Sequence, residues 1–277
     1  MSFKRKKGHS VVPSDINIKL DKNWFNSVSK EKVSIKSFDG LTLTGYLIIK
    51  DTCSKKFLIC SHGYQGRSIE LSYFAHKMYD LGYNLLLIDL RGCGDSQGKF
   101  LSMGYYESYD LAKWVYFLKD RFNDAIISLY GWSMGAATSM MSLRYLNSSN
   151  IKAIVEDCGY DTIYNQLKYV AKSFKHIFGS EIILWCFNFY CKIFNGINIK
   201  DGPINYIENS DVPILFIHGG KDDFVPTYMS ENLFKKRKYN EKDKFRIFDG
   251  SKHAMSLSDY SDEYIKIVDD FLKEKMK

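Results

Sequence analysis

Hydrophobic and polar positions along the chain switch between two periods. In Lys32-Val33-Ser34-Ile35-Lys36-Ser37-Phe38 they alternate one by one, Asp39-Gly40 interrupts, and a second run continues from Leu41 to Lys50. Alternation on both sides of Asp-Gly predicts a β-hairpin, because that dipeptide accepts the positive φ angles of tight hairpin turns. Beyond it the apolar stretches become short and unbroken, at 57–61, 84–89, 125–130, 151–156, 213–218 and 244–248. Short runs without a polar face are the pattern of strands buried on both sides. Between and after them, helical spacing covers 69–79, 102–119, 136–146, 227–237 and 259–275. Strands alternating with helices predict an α/β domain whose mostly parallel central sheet carries helices on both faces. The rhythm breaks once, between Asp161 and Ser210, where about fifty residues pass without a core strand, far more than an ordinary connection. That interval is helical in pattern and rich in aromatic residues, Tyr164, Tyr169, Trp185, Phe189 and Phe194 among them. The expected organisation is therefore an N-terminal arm at 1–30, irregular apart from Trp24-Phe25, a core formed by 31–160 and 211–277, and a helical cap insertion at 161–210.

Composition narrows the class. With 277 residues, 45% of them hydrophobic and 16% aromatic, the chain has material for one large core, and disorder is excluded. Cys53, Cys60, Cys93, Cys158, Cys186 and Cys191 form no C-x-x-C pair, and Cys60 and Cys158 sit in or beside apolar strand-like runs. This speaks against a disulfide framework or a zinc site and for a reducing compartment, so a cytoplasmic location is expected. The net charge of +7 comes from scattered residues, mostly lysines. Their densest cluster, Lys235-Lys236-Arg237-Lys238, closes the helix expected at 227–237, where cations complement the helix dipole. It is expected to be a solvated helix end and not a nucleic-acid surface. The run Lys4-Arg5-Lys6-Lys7 is followed by no apolar segment of the signal-peptide kind. It reads as a basic arm, suited to lie beside a membrane anchor, and with the aromatic cap it offers a route to membrane contact. The longest apolar stretch, 182–194, is interrupted by Asn188 and Lys192 and is too short to span a bilayer.

The candidate chemistry centres on Gly131-Trp132-Ser133-Met134-Gly135, which follows an apolar strand and precedes a small-residue helix start. A serine between strand and helix, with glycines two residues to either side, is the context of a nucleophile elbow. The glycines permit close backbone approach, and the helix N-terminus faces the serine oxygen. Such a serine needs a histidine base, and the base needs an acid to fix its tautomer and steady its charge; along an elbow-type chain they come in the order serine, acid, histidine. Histidines occur at positions 9, 62, 76, 176, 218 and 253. Only His253 follows both Ser133 and an acid at a later strand end, whereas His62 and His218 precede glycines at strand ends and suit hydrogen bonding within turns. The acid is Asp222 or Asp223, with Asp157 a weaker third candidate. An oxyanion hole would combine the backbone N–H of Met134 with that of Tyr64, in the loop Ser61-His62-Gly63-Tyr64-Gln65-Gly66. The glycines of 92–98 miss the G-x-G-x-x-G spacing of a dinucleotide site and read as a strand-to-loop turn.

Together, His62-Gly63-Tyr64, Asp89-Leu90-Arg91-Gly92-Cys93-Gly94-Asp95-Ser96-Gln97-Gly98, Gly131 to Gly135, the segment His218-Gly219-Gly220-Lys221-Asp222-Asp223-Phe224-Val225-Pro226, and His253 resemble an α/β-hydrolase. The likeness is to bacterial serine hydrolases related to acylglycerol lipases, cinnamoyl and feruloyl esterases and prolyl-oligopeptidase catalytic domains. It runs from about residue 32 to the C-terminus in the family's order. The family's H-G-x-x-D-x-x-V-P spacing selects Asp222 as the acid. Two positions depart from the common pattern, Cys93 in place of histidine and Lys252 in place of glycine before His253.

The expected activity is carboxyl-ester hydrolysis, of the carboxylesterase or lipase-like kind, through an acyl-enzyme. Ser133 attacks, His253 relays the proton, Asp222 orients His253, and the amides of Tyr64 and Met134 hold the oxyanion. A histidine base must be neutral, so activity is expected to rise through about pH 6–7. The expected partner is a small-molecule ester; no metal, cofactor or nucleic acid is implied. A serine nucleophile disfavours dehalogenase and epoxide-hydrolase chemistry. Two rivals stand: a peptidase using the same residues, for which Glu181 or Asp161 would have to supply an acidic pocket, and a non-catalytic membrane-surface protein on a hydrolase scaffold.

Overall fold

A computed structural model describes residues 18–173, 180–238 and 240–277. The basic arm at Lys4 to Lys7 lies outside them, as do His9, Phe174 and His176. In chain order the elements are α1 (Lys22–Ser27), β1 (Glu31–Lys36), β2 (Thr42–Ile48), β3 (Lys56–Ser61), α2 (Ser72–Asp80), β4 (Asn84–Ile88), α3 (Tyr105–Arg121), β5 (Ile126–Trp132) and α4 (Met134–Met141). After them come β6 (Ile154–Asp157), α5 (Ile163–Ser173), α6 (Ser180–Asn195), β7 (Ile214–Gly219), α7 (Tyr228–Lys236), β8 (Lys244–Phe248), α8 (Ser256–Asp259) and α9 (Ser261–Lys275).

The strands form one sheet in the order β1-β2-β4-β3-β5-β6-β7-β8. β1 and β2 are the expected hairpin, with Lys36 opposite Thr42, and β2 also lies antiparallel to β4. From β4 onward every pairing is parallel. The unbroken apolar runs are explained by what covers the sheet. Successive side chains of a strand point to opposite faces, so Phe57 and Ile59 enter one apolar layer while Leu58 and Cys60 enter the other. The first layer is closed by Leu111, Trp114 and Leu118 of α3 and by Met134, Ala137 and Met140 of α4. The second is closed by Phe74 and Met78 of α2 and by Tyr264, Val268 and Phe271 of α9.

Two segments differ from the sequence pattern. Trp24 and Phe25 belong to a short helix, α1, started by Asp21, whose carboxylate accepts the Trp24 N–H at 2.9 Å. Trp24 stacks on His76, and the other Asp21 oxygen is 2.8 Å from His76 Nδ1, so the arm is pinned to α2. The basic cluster after β7 is the second case. Lys235, Lys236 and Lys238 stay accessible, but Arg237 is buried. Its guanidinium is paired with Asp243 at 2.7 Å and donates to the carbonyls of Ile207, Ser210 and Val212. A solvated helix end was the wrong reading for this residue, because the chain returning to β7 turns three carbonyls towards Arg237, of which Ile207 also accepts the Ser210 N–H.

Between β6 and β7 no strand occurs among the described residues; α5 and α6 occupy the interval. Among the described residues no helix is long and apolar enough to cross a membrane.

Candidate active site

β5 ends at Trp132 and α4 begins at Met134, so Ser133 alone makes the turn between them, with φ 52° and ψ −120°. Positive φ is strained for a side chain of this kind and persists only where the surroundings impose it. They do so here. The Ser133 N–H donates to the Asp157 carbonyl at 2.7 Å, across to β6, and the Ser133 carbonyl accepts from Ala137. The flanking glycines are required by distance: a Cβ on Gly131 would lie 2.3 Å from the Gly135 carbonyl, and one on Gly135 would lie 2.2 Å from the Ser61 oxygen. The elbow is thus wedged against the end of β3.

Two loops bring the partners. Beyond β7, the Gly220 N–H bonds the Phe248 carbonyl and the Lys221 N–H bonds the Ser251 carbonyl, locking the loop after β7 to the loop after β8. Asp222 and His253 therefore meet although 31 residues separate them: Nδ1 of His253 is 2.7 Å from Asp222 Oδ2, and Nε2 is 2.9 Å from Ser133 Oγ. In the tautomer that fits both contacts, Nδ1–H donates to Asp222 and Nε2 accepts from the serine hydroxyl. All three residues are buried, Ser133 retaining 8% exposure. Burial alone would push the Asp222 carboxyl up. Electrostatic attraction to His253 and hydrogen bonds from His218 and His253 outweigh it and hold the carboxyl well below the usual carboxylate range. The remaining oxygen, Oδ1, accepts the N–H groups of Phe224 and Val225 at 3.0 and 2.8 Å. Asp223 is exposed, and Asp157 turns away to accept the Tyr264 hydroxyl at 2.8 Å. Of the three acids considered, only Asp222 reaches His253.

His218 is the residue that sequence reasoning undervalued. It does bond a turn carbonyl, Val225, at 2.8 Å, but the same Nε2 is 3.2 Å from Asp222 Oδ2. The signal was its spacing of four from Asp222 across a turn. His62 keeps to backbone, with Nδ1 2.7 Å from the Gly63 carbonyl and Nε2 accepting from the Leu90 N–H. That pairing fixes the loop bearing Tyr64, and a Cβ on Gly63 would come within 3.5 Å of Ser133 Cβ. The Met134 N–H is the first of α4 and has no helical partner. Both amides sequence reasoning named thus lie in segments next to the serine.

The 89–98 segment is held as a turn. Asp89 accepts the N–H groups of Ser68 and Asp95, and Arg91 is buried between Asp110 and Asp39. Among the described residues, one group of three ligand-type side chains converges, Cys158, Asp222 and His253, with donor atoms within 4.8 Å of one another. Asp222 and His253 already bond each other, and burial pushes the Cys158 thiol far up.

Comparison with known proteins agrees with the fold. The model of the α/β hydrolase fold family matches residues 56–194, and that of the dienelactone hydrolase family matches 187–270. YqkD of Bacillus subtilis is 30% identical over 96% of this chain and 83% of its own length. The chain belongs to the α/β-hydrolase fold family, and it is a hydrolase. Bem46 of Schizosaccharomyces pombe is 25% identical over 88% of this chain and 77% of its own. Among solved α/β-hydrolase structures, the Pyrococcus furiosus esterase Pf2001 superposes with a TM-score of 0.75 at 25% identity, over 91% of this chain and 93% of that one. The acylaminoacyl peptidase of Pyrococcus horikoshii shares the fold, with a TM-score of 0.67 at 18% identity, over 90% of this chain and 42% of its own.

Proposed function

We propose that the protein is a serine hydrolase that cleaves carboxylic esters through an acyl-enzyme. The observation that carries this reading is the unbroken chain from Ser133 Oγ through His253 to Asp222, at 2.9 and 2.7 Å, on a strained elbow. Nε2 of His253 takes the serine proton as Oγ attacks the ester carbonyl and returns it to the leaving alcohol; water then repeats the cycle on the acyl-enzyme. Asp222 steadies the imidazolium, and the amides of Met134 and Tyr64 receive the oxyanion at the N-terminus of α4.

Two features of the fold support ester over amide. A cavity of about 120 Å³ lies between residues 100–103, α5 and α6, with Leu101, Met103, Leu167 and Phe187 in its wall. Leu101, in that wall, belongs to the same apolar layer as Met134, and the cavity offers apolar surroundings of the kind an acyl or aryl group needs. The acids that an aminopeptidase pocket would use are engaged: Glu181 pairs with Lys168 at 2.6 Å, and Asp161 accepts from Thr162, Asn165 and Asn232. We infer further that 161–210 acts as a cap, since Gln166 of α5 donates to the Phe224 carbonyl, whose ring lies 5.0 Å from that of His253.

The test is a nitrophenyl ester series, from acetate to long chains, on the wild type and Ser133→Ala. The variant is expected to lose turnover by about 10³-fold or more, and a fluorophosphonate probe to label only the wild type. Equal hydrolysis by both proteins would overturn the proposal. Faster cleavage of aminoacyl anilides than of every ester would move it to a peptidase.

A further inference from the structure

α6 behaves differently on its two sides. Leu184, Asn188 and Cys191 are buried at helical spacing, and Asn188 Oδ1 accepts the Ile199 N–H at 2.9 Å, which seats the helix. Among the described residues nothing covers its outer side. Ile182 is 70% exposed, Trp185 64%, Phe189 57% and Phe194 71%, with Ile183, Tyr190 and Ile193 at half or above. Single exposed apolar residues are ordinary; a contiguous ridge over four helical turns marks a contact surface. The ridge is ordered within itself, Trp185 stacking on Phe189 and Tyr190 packing against Phe194.

Its charges indicate the partner. Glu181 is the only acid on the helix, and Lys168 neutralises it. Lys192 is exposed on α6 itself, Lys172 of α5 acts through its charge on Glu181 at the start of α6, and Lys200 is exposed five residues beyond the helix; none of the three has a carboxylate at ion-pair distance among the described residues. Tryptophan and tyrosine beside phenylalanine and isoleucine, rimmed by lysine, match the boundary between acyl chains and anionic headgroups. A second copy matches poorly, because a two-fold contact would set the same lysines against each other. A ridge on one helix also offers a protein partner no concavity.

We propose that the outer face of α6 docks the protein on an anionic phospholipid surface. Phe187, Tyr190 and Cys191 of the same helix line the cavity described above, so docking brings that cavity to the lipid. The proposal does not rest on the catalytic reading, and its test involves no turnover. Of the four tryptophans, Trp24, Trp114 and Trp132 are buried and only Trp185 is exposed, so fluorescence quenching by lipid reports on this helix.

The full chain is mixed with phosphatidylcholine vesicles containing about 30% phosphatidylglycerol, with plain or brominated acyl chains. It is expected to co-sediment, and brominated lipid to quench its fluorescence. In Trp185→Phe the quenching should vanish while co-sedimentation persists. Replacing Trp185, Phe189 and Phe194 together by serine should lower partitioning about tenfold or more. These positions are exposed, so the thermal unfolding of that variant should match the wild type. Absent co-sedimentation, absent quenching, or unchanged partitioning of the triple variant would each overturn the proposal. So would a dimer that the triple variant splits and that ignores vesicles, which would make the face a self-contact.

Discussion

Asp222 has four donors around its two oxygens: the N–H groups of Phe224 and Val225, the Nδ1–H of His253, and the Nε2–H of His218. The last contact is long, since His218 shares its proton with the Val225 carbonyl. Its place beside the carboxylate fixes where Oδ2 sits for His253, which makes His218 a positioning residue. His218→Leu removes the donor and leaves the Val225 carbonyl unpaired. It should lower kcat about tenfold with KM nearly unchanged, and His218→Gln, which can still donate from a similar place, should recover part of the loss. Steady-state kinetics on an ester substrate checks this; an unchanged kcat in the leucine variant would sink it. The serine and histidine were legible from chain order alone. The acid was not legible from chain order, which leaves the neighbours Asp222 and Asp223 both open; the family's spacing selects Asp222, and the fold turns that residue towards His253. His218 was classed by its local glycine, and its second contact depends on how the loop closes.

Among elements, the strands were plain in the sequence because burial on both faces leaves them no polar positions, as in Asn84-Leu85-Leu86-Leu87-Ile88. Helix ends were less plain. The helix expected from residue 136 begins at Met134, since its start is set by the elbow and not by periodicity. The helix expected at 259–275 is α9, which begins at Ser261, and the short α8 precedes it at Ser256–Asp259. Arg237 was misread for a physical reason: helix-end periodicity does not reveal carbonyls from 25 to 30 residues upstream that need a donor. The same contacts predict its weight. Arg237→Ala leaves Asp243 buried without its cation, keeping only the Ile214 N–H, and takes a donor from the carbonyls of Ile207, Ser210 and Val212. Urea unfolding should show a loss of about 3–5 kcal/mol, against about 0.5 kcal/mol or less for Lys235→Ala. A small effect of Arg237→Ala would mean that the loop before β7 repacks without it. At the elbow, Gly135→Ala drives a methyl group into the Ser61 oxygen, and it is expected to cost several kcal/mol or prevent folding.

At the scale of the whole molecule, two acids buried behind the site couple stability to pH. Glu156 lies on β6, the third strand from the β8 edge of the sheet, and among the described residues its oxygens accept only the Ser230 hydroxyl and the Gly159 N–H. Burial pushes its carboxyl up to about 7, although His218 and these donors favour the charged form. Asp157 beside it is pushed up to about 6 for the same reason, with the Tyr264 hydroxyl on one oxygen and no hydrogen bond to the other. For an acid raised in this way the folded state keeps a proton that the unfolded chain has lost. Stability therefore falls as pH rises from the ordinary carboxylate value of 4.5 to about 7, and above that the penalty is complete. Asp222 acts in the opposite direction and in another window: its contribution is whole above the ordinary 3.8 and disappears only on acidification below it. The wild type should thus be most stable near pH 5 and lose stability towards pH 8. Glu156→Gln keeps the shape and an acceptor for Gly159, and its amide donates to the Ser230 oxygen. It should be more stable than the wild type at pH 8, by on the order of 2–3 kcal/mol, and nearly equal to it at pH 4.5. Urea midpoints measured across that range for both proteins decide the matter, and parallel curves would show that Glu156 is ionised in the folded protein throughout.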